Sequence, residues 1–280
     1  MIATPAKVNL YLTVGDVRPQ DGRHEIQTLF LPVSQLVDTI EVTAGSPGHG
    51  VTLSLRGRAV PGGAVAEENL ACRAVRAFCA AFGLAADFHV ALEKRIPVSA
   101  GLGGGSSDAA AALLEMRRLT GVPAMVDELR PLAATLGADV AFFLNPVPSL
   151  ATGIGDVLRP VEIAADCELV IAYPGSPSPV AWAYRHWKRP SGAVPPAWPP
   201  TSEQLRTVDG LASLVWNDLG FALEEKTPFL AMLREELLRA GALAAAVSGS
   251  GSSVFGVALP GQGEAIRARL RTAFSAVEIF

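Results

Sequence analysis

Val8, Leu10, Leu12 and Val14 alternate with Lys7, Asn9, Tyr11 and Thr13 near the start of the chain, the period-two pattern of a half-buried strand. That pattern puts Lys7 and Asn9 on a polar face opposite the aliphatic one. Ile40/Val42, Val51/Leu53/Leu55 and Phe88/Val90/Leu92 predict three more strands, separated by Gly- and Pro-rich turns. Between them Leu70, Ala74, Val75, Phe78 and Phe82 recur at helical spacing, with Gly83 as a stop. A second helix is predicted from near Ser106 through the alanines to Leu119, and a third over roughly Val126 to Leu136.

From about Pro146 the pattern changes. Gly153, Gly155 and Pro160 precede an apolar run, Leu169 to Ala172, that ends at Pro174-Gly175, so two lobes are expected, residues 1–155 and 156–280. Residues 189–202 hold five prolines and read as a surface loop. Phe229 to Ala240 and Glu264 to Phe274 read as helices flanking Ala244 to Leu259, which reads as strand, Gly/Ser turn, strand. A chain of 280 residues is comfortable for two lobes sharing a cleft, and 50% hydrophobic with 18% charged residues is a globular composition.

Charge and cysteine usage narrow the function. The net charge is −4 and Lys and Arg are scattered, so nucleic acid is not an expected partner. The longest uncharged stretch, Ala240 to Gly263, is interrupted by glycines, serines and Pro260, so no membrane span is expected. The first residues have no apolar run of a secretory signal, and a cytoplasmic protein is expected. Cys72, Cys79 and Cys167 show no metal-ligand spacing with the four histidines and read as reduced structural thiols.

The strongest chemical signal is Pro97-Val98-Ser99-Ala100-Gly101-Leu102-Gly103-Gly104-Gly105-Ser106-Ser107, after a predicted strand and before an alanine-rich helix. Glycines let backbone approach a ligand, hydroxyls add donors, and a helix start offers unpaired N–H groups with partial positive charge, which together suit phosphate. It is neither a Walker A loop nor a dinucleotide fingerprint, because Ser106 stands where those need lysine or a third glycine. Asp139, alone in the apolar Gly137-to-Leu144 run, reads equally as a helix cap or turn residue, and Lys7 alone reads as a solvated lysine. Ser248-Gly249-Ser250-Gly251-Ser252-Ser253 is a second Gly/Ser loop, either a plain hairpin turn or a loop that closes on phosphates or substrate, of value in combination with the first.

Taken in order, these pieces resemble the GHMP family of small-molecule kinases over essentially the whole chain. Pro5-Ala6-Lys7-Val8-Asn9-Leu10 looks like the first family motif, Asp21 to Ile26 like a substrate loop and Glu68-Asn69-Leu70 like a nucleotide-side segment. The Gly-rich loop, Gly137 to Val140, Gly153 to Asp156, Pro174-Gly175, Trp216 to Leu219 and Ser248 to Gly256 follow. The resemblance implies an α+β fold with a ribosomal-S5-like N-terminal lobe and a ferredoxin-like C-terminal lobe. It also implies transfer of a phosphate from ATP, with Mg²⁺, to a hydroxyl of a cytidine-bearing isoprenoid precursor.

By the same resemblance Lys7 and Asp139 are catalytic, and Asn69 with Pro97 to Ser107 binds the nucleotide, Ser107 being a candidate metal contact. Asn9, Arg23, His24, Val180 and Tyr184 fall on the substrate side, His24 at the cytosine edge. Three positions depart from the family pattern. Arg23 replaces an aromatic residue, and either stacks on cytosine or lies in solvent; Val180 stands where threonine is common, and Ser99 where glycine is usual. Two rival readings are a family kinase for another small alcohol, such as homoserine or mevalonate, and a nucleotide-sensing relative without turnover.

Overall fold

The computed structural model describes residues 1–58 and 65–280. In chain order its elements are β1 (Ile2–Val17), β2 (His24–Ala44), β3 (Val51–Gly57), α1 (Leu70–Phe82), β4 (Phe88–Lys94), α2 (Gly104–Thr120), α3 (Arg130–Leu136) and α4 (Val140–Phe143). Then come β5 (Ser149–Thr152), β6 (Val157–Pro160), β7 (Glu168–Tyr173), α5 (Val180–His186), α6 (Val208–Ser213), β8 (Trp216–Asn217) and α7 (Asp218–Lys226). The chain ends with α8 (Pro228–Arg239), β9 (Ala244–Val247), β10 (Val254–Ala258), α9 (Gly263–Ala273) and β11 (Glu278–Ile279). Two compact units emerge, interleaved along the sequence: Met1–Ala6, Pro32–Val98 and Gly103–Pro146 form the first, and Lys7–Leu31, Ser99–Leu102 and Val147–Phe280 the second.

In the first unit β3 and β4 run parallel through α1, and β4 pairs antiparallel with Thr39–Ala44 of β2. Helix α1 starts where Asn69, extended in backbone, accepts from the N–H groups of Ala71 (3.0 Å) and Cys72 (3.3 Å). It stops at Gly83, whose left-handed φ of 66° turns its N–H back to Cys79 O. The buried face of α1, Ala71, Cys72, Ala74, Val75 and Phe78, packs on α2, whose buried Ala109 to Ala112 let two backbones come close. Burying a side chain such as Phe78 stabilises by roughly 1.5–3 kcal/mol, so this helix pair anchors the unit. Burial also pushes the Cys72 thiol up to about 11, which leaves it inert at neutral pH. The third predicted helix is split into a 3₁₀ turn, Val126–Leu129, and α3, because Pro131 has no N–H to continue a helix but fits a helix start.

Segments of the second unit form the order β6-β5-β2-β1-β8, with β1 and β8 parallel, Tyr11 opposite Trp216. A second, antiparallel sheet has the order β11-β7-β10-β9 and the succession β-helices-β-β-α-β, which is the expected ferredoxin-like topology. Leu12, Val14, Val170, Leu219, Leu233, Leu237 and Val254 share the core of this unit. The proline-rich segment is strapped to β1 instead of lying loose. Trp198 stacks on Tyr11 at 5.0 Å, Tyr11 donates to Pro196 O (3.2 Å), and Arg189 grips Asp218 through two bonds. Helices α5, α6 and α7 were not predicted: at 7, 6 and 9 residues they give too few turns for a period to show.

The polar face of β1 departs from expectation. Lys7 is 4% exposed, Asn9 3% and Thr13 8%, so both faces of the strand are buried and its polar residues have protein partners. Among the described residues no helix is long and apolar enough to cross a membrane.

The double acceptance at Asn69 makes a stability prediction. Asn69→Ala should cost about 1 kcal/mol in denaturant unfolding, and Asn69→Asp should recover most of it because a carboxylate caps the same N–H groups. An alanine variant as stable as the native chain would remove the cap from the account of α1.

Candidate active site

In the second unit, a directed chain of hydrogen bonds holds Lys7. Its Nζ donates to Asn9 Oδ1 (2.5 Å), Asn9 Nδ2 donates to Thr28 Oγ1 (2.8 Å), and Thr28 donates to Tyr11 O (2.6 Å). The ammonium also lies 5.5 Å from the centroid of the Phe30 ring, a cation–π contact. Asn9 accepts from Lys7 through Oδ1 and donates to Thr28 through Nδ2, which fixes the orientation of its amide and helps to aim the lysine. Thr28 is fully buried and was not singled out by sequence, since its role depends on pairing β2 with β1.

The two Gly/Ser loops interlock, which settles the second one as more than a hairpin turn. Ser248 Oγ donates to Gly101 O (2.9 Å), Ser253 N to Ala100 O (3.0 Å), and Ser178 N to Ser99 O (3.1 Å). Lys7 N donates to Leu102 O (2.9 Å). The approach is backbone to backbone: a Cβ on Gly101 would come within 2.0 Å of Ser248 O, and one on Gly249 within 2.8 Å of Asn9 Oδ1 and 3.3 Å of Lys7 Nζ. Asn217 fixes the second loop from below, donating to Val247 O (2.8 Å) and Gly249 O (2.7 Å) while its own oxygen caps α7 at Leu219 N. Its neighbour Asp218, fully buried, accepts from Val14 N, Trp216 Nε1 and Arg189. The Trp216-to-Leu219 motif therefore positions loops and strands.

In the first unit, α2 begins at Gly104 after Gly103, whose φ is +73°; no side chain caps it and no acidic residue stands in its first turn. Gly105 is exposed, and a Cβ there would meet nothing within 4 Å, so the first turn has open space beside it. Gly104 has a different reason to be glycine, since a Cβ would lie 2.8 Å from Ile96 Cγ2 and 3.3 Å from Lys94 Nζ. Ser107 turns inward: it is fully buried, donates to Pro5 O (2.6 Å), and takes a close contact from the Thr4 hydroxyl. The hydroxyl of Ser107, expected as a candidate metal contact, is thus engaged with Pro5 and Thr4 in this structure. Gly137 sits 3.9 Å from Ser106 Oγ by the same Cβ measure, which brings the turn before Asp139 against the start of α2. Asp139 stands at the N-cap of α4, just before Val140, and its side chain does not cap the helix.

Beneath that helix start lies a buried cluster that sequence reading missed. Lys94 Nζ donates to Asp38 and to Asp108 Oδ2 (2.6 Å), and all three side chains are at most 5% exposed. Burial alone would lower the Lys94 ammonium, but the Asp108 and Asp38 carboxylates outweigh it and hold its pKa above the ordinary value. Asp108 is pushed up to about 7, first by burial and then by Asp38, against the pull of Lys94. The consistent reading is a Lys94–Asp38 ion pair with Asp108 as the surplus carboxyl.

Of the residues expected on the substrate side, His24 and Tyr184 meet in the second unit with ring centroids 5.9 Å apart, and Trp187 adds an edge at 6.1 Å to His24. His24 Nδ1 is held at 2.9 Å from Gly15 O. Arg23 is exposed in a turn closed by Arg18 N to Arg23 O (2.7 Å), and Val180, 49% exposed, is the first residue of α5.

Family models describing the GHMP kinases N terminal domain and the GHMP kinases C terminal match residues 69–145 and 205–276. The chain belongs to the GHMP kinase family, and its fold is the α+β fold of that family. Within it, the chain is similar along nearly its whole length to proteins named 4-diphosphocytidyl-2-C-methyl-D-erythritol kinase. The one from Geobacter metallireducens is 37% identical over 259 residues, 91% of this chain and 88% of its own. That from Anaeromyxobacter dehalogenans is 42% identical over 269 residues, 95% and 82%. A crystal structure of 4-(cytidine 5'-diphospho)-2C-methyl-D-erythritol kinase superposes with a TM-score of 0.78 at 36% identity, covering 100% of this chain and 97% of that one. A homoserine kinase structure from Cytophaga hutchinsonii, TM-score 0.70 at 18% identity over 99% and 92%, shares the fold.

Ser99, which replaces the usual glycine, has a φ of +53° and is exposed. A left-handed non-glycine residue costs roughly 1–2 kcal/mol, partly offset by the extra chain entropy of glycine. Ser99→Gly should therefore stabilise the protein by about 0.5–1 kcal/mol. Loss of stability in that variant, by thermal or denaturant unfolding, would show that the hydroxyl contributes more than the strain costs.

Proposed function

We propose that this chain transfers the terminal phosphate of ATP to the 2-hydroxyl of 4-diphosphocytidyl-2-C-methyl-D-erythritol, a step of the non-mevalonate route to isoprenoid precursors. The observation that carries the reading is the combination of near full-length similarity to kinases of that name with Lys7, Asp139 and the glycine loop in the matching motifs. The two family models fall on either side of residue 155, in keeping with lobes 1–155 and 156–280, whereas the compact units interleave, Lys7–Leu31 and Ser99–Leu102 grouping with Val147–Phe280. A small-molecule kinase that draws on ATP is suited to the cytoplasm.

The residues present fit a polyphosphate. An uncapped helix start with no carboxylate in its first turn and space beside Gly105 offers N–H groups and a positive dipole end to an anion. Mg²⁺ would be bound by the ATP phosphates together with one or two carboxylates, an arrangement that needs no cluster of three protein ligands, and among the described residues no such cluster is found. No step here is routed through a protein-bound ion.

In the reaction, the bond between the γ-phosphorus and the bridging oxygen of ATP breaks, releasing ADP, and the substrate's hydroxyl oxygen bonds to that phosphorus. The hydroxyl proton passes to the Asp139 carboxylate. Lys7 holds and polarises the hydroxyl, and the Asn9–Thr28–Tyr11 chain keeps its ammonium aimed. Because such transition states need little covalent help, positioning should outweigh basicity. His24, Tyr184, Val180 and Arg23 are assigned to the cytidine diphosphate end, and Asn69 to the nucleotide side, where its cap role also orders the start of α1.

The test is kinetic. Asp139→Asn should lower kcat about a hundredfold or more while ATP still binds. Lys7→Met should impair turnover with the fold intact, read by ADP release alongside thermal melting. Near-normal turnover of Asp139→Asn would remove Asp139 from the chemistry, and collapse of the melting temperature in Lys7→Met would make that lysine structural.

A further inference from the structure

The Lys94–Asp38–Asp108 cluster joins three elements at one point: Asp38 on β2, Lys94 at the end of β4 and Asp108 on α2. Asp38 Oδ1 also accepts from the N–H groups of Arg95 (2.5 Å) and Ile96 (2.9 Å), the two residues that lead into the glycine loop. Asp108 belongs to the helix that leaves the loop. The cluster therefore grips both flanks of the loop, and the ammonium lies directly under its exit, where a Cβ on Gly104 would come within 3.3 Å of Nζ.

As a purely stabilising device the arrangement is poor. Two carboxylates share one ammonium in a dry site, and Asp108 Oδ1 is buried with no hydrogen-bond partner among the described residues. Buried ionic groups repay their desolvation only with complete partners, and apolar side chains of similar volume often stabilise as well or better. What the cluster does supply is a fixed geometry, since two bonds from Lys94 and two N–H bonds to Asp38 define where strand end and helix start stand relative to each other.

We propose that Lys94, Asp38 and Asp108 are positioning residues for phosphate binding, setting the glycine loop's two flanks so that the first-turn N–H groups of α2 converge on ATP. The proposal rests on the reading of that loop as the ATP phosphate site. Surplus charge on Asp108 is relieved by the proton it holds near neutral pH, consistent with its raised pKa. The cluster then acts through geometry and carries little net charge.

The test uses the full chain, with ATP affinity measured by calorimetry and KM for the cytidine substrate by ADP release. Asp108→Ala should weaken ATP about tenfold and leave KM for the cytidine substrate within about twofold, because the loss of aim falls on phosphate alone. Asp108→Asn should restore ATP affinity to within about threefold of native, since its amide oxygen still accepts from Lys94. A neutral, folded control, Asp38→Asn with Lys94→Met and Asp108→Leu, should melt near the native temperature and still bind ATP about tenfold more weakly. Native ATP affinity in Asp108→Ala or in the folded triple variant would overturn the proposal, as would equal weakening of both ligands or an Asn variant no better than Ala. A native protein that binds the cytidine substrate but not ATP would instead overturn the reading of the loop itself.

Discussion

The backbone-to-backbone approach of Ser99–Leu102 to Ser248–Ser253 is the constraint from which the local organisation of the second unit follows. With Gly101 seated against Ser248 O at a distance no side chain could share, the loop carbonyls of Ala100 and Gly101 become acceptors for Ser253 and Ser248. Gly249 is then pressed against Lys7 and Asn9, and Asn217 has two loop carbonyls to hold. Removing either glycine would push the loops apart and disturb the lysine. The cost of burying this backbone is offset in part by the hydrogen bonds that the carbonyls of Ser99, Ala100, Gly101, Leu102 and Gly249 accept.

The buried lysines of the two units have different surroundings. Lys7 leans on a neutral chain, amide to hydroxyl to carbonyl, together with an aromatic face. Lys94 instead meets the Asp38 and Asp108 carboxyls on both sides, which gives it an architectural role.

How much of this was legible depended on the range of the interaction. Helix α1 reads directly from the sequence because period, cap and stop all lie within fifteen residues, Asn69 to Gly83. The glycine loop reads because its chemistry is local, and the antiparallel β9–β10 pair because its turn is. The burial of Lys7 and Asn9 does not read, since Thr28, Ser248 and Gly249 reach them only through the fold. Asp38, Lys94 and Asp108 look like ordinary surface charges at their positions, and only the meeting of β2, β4 and α2 reveals them. The split of the third helix does not read, because the apolar period runs on through Pro131. The family motifs supplied the roles that local pattern left open, Lys7 and Asp139 above all.

The central claim is substrate identity, and a coupled ADP-release assay with purified protein and ATP tests it most directly. ADP should appear on addition of 4-diphosphocytidyl-2-C-methyl-D-erythritol and stay at the ATP-only background with homoserine or mevalonate. Turnover of either of those alcohols without turnover of the cytidine compound would contradict the account.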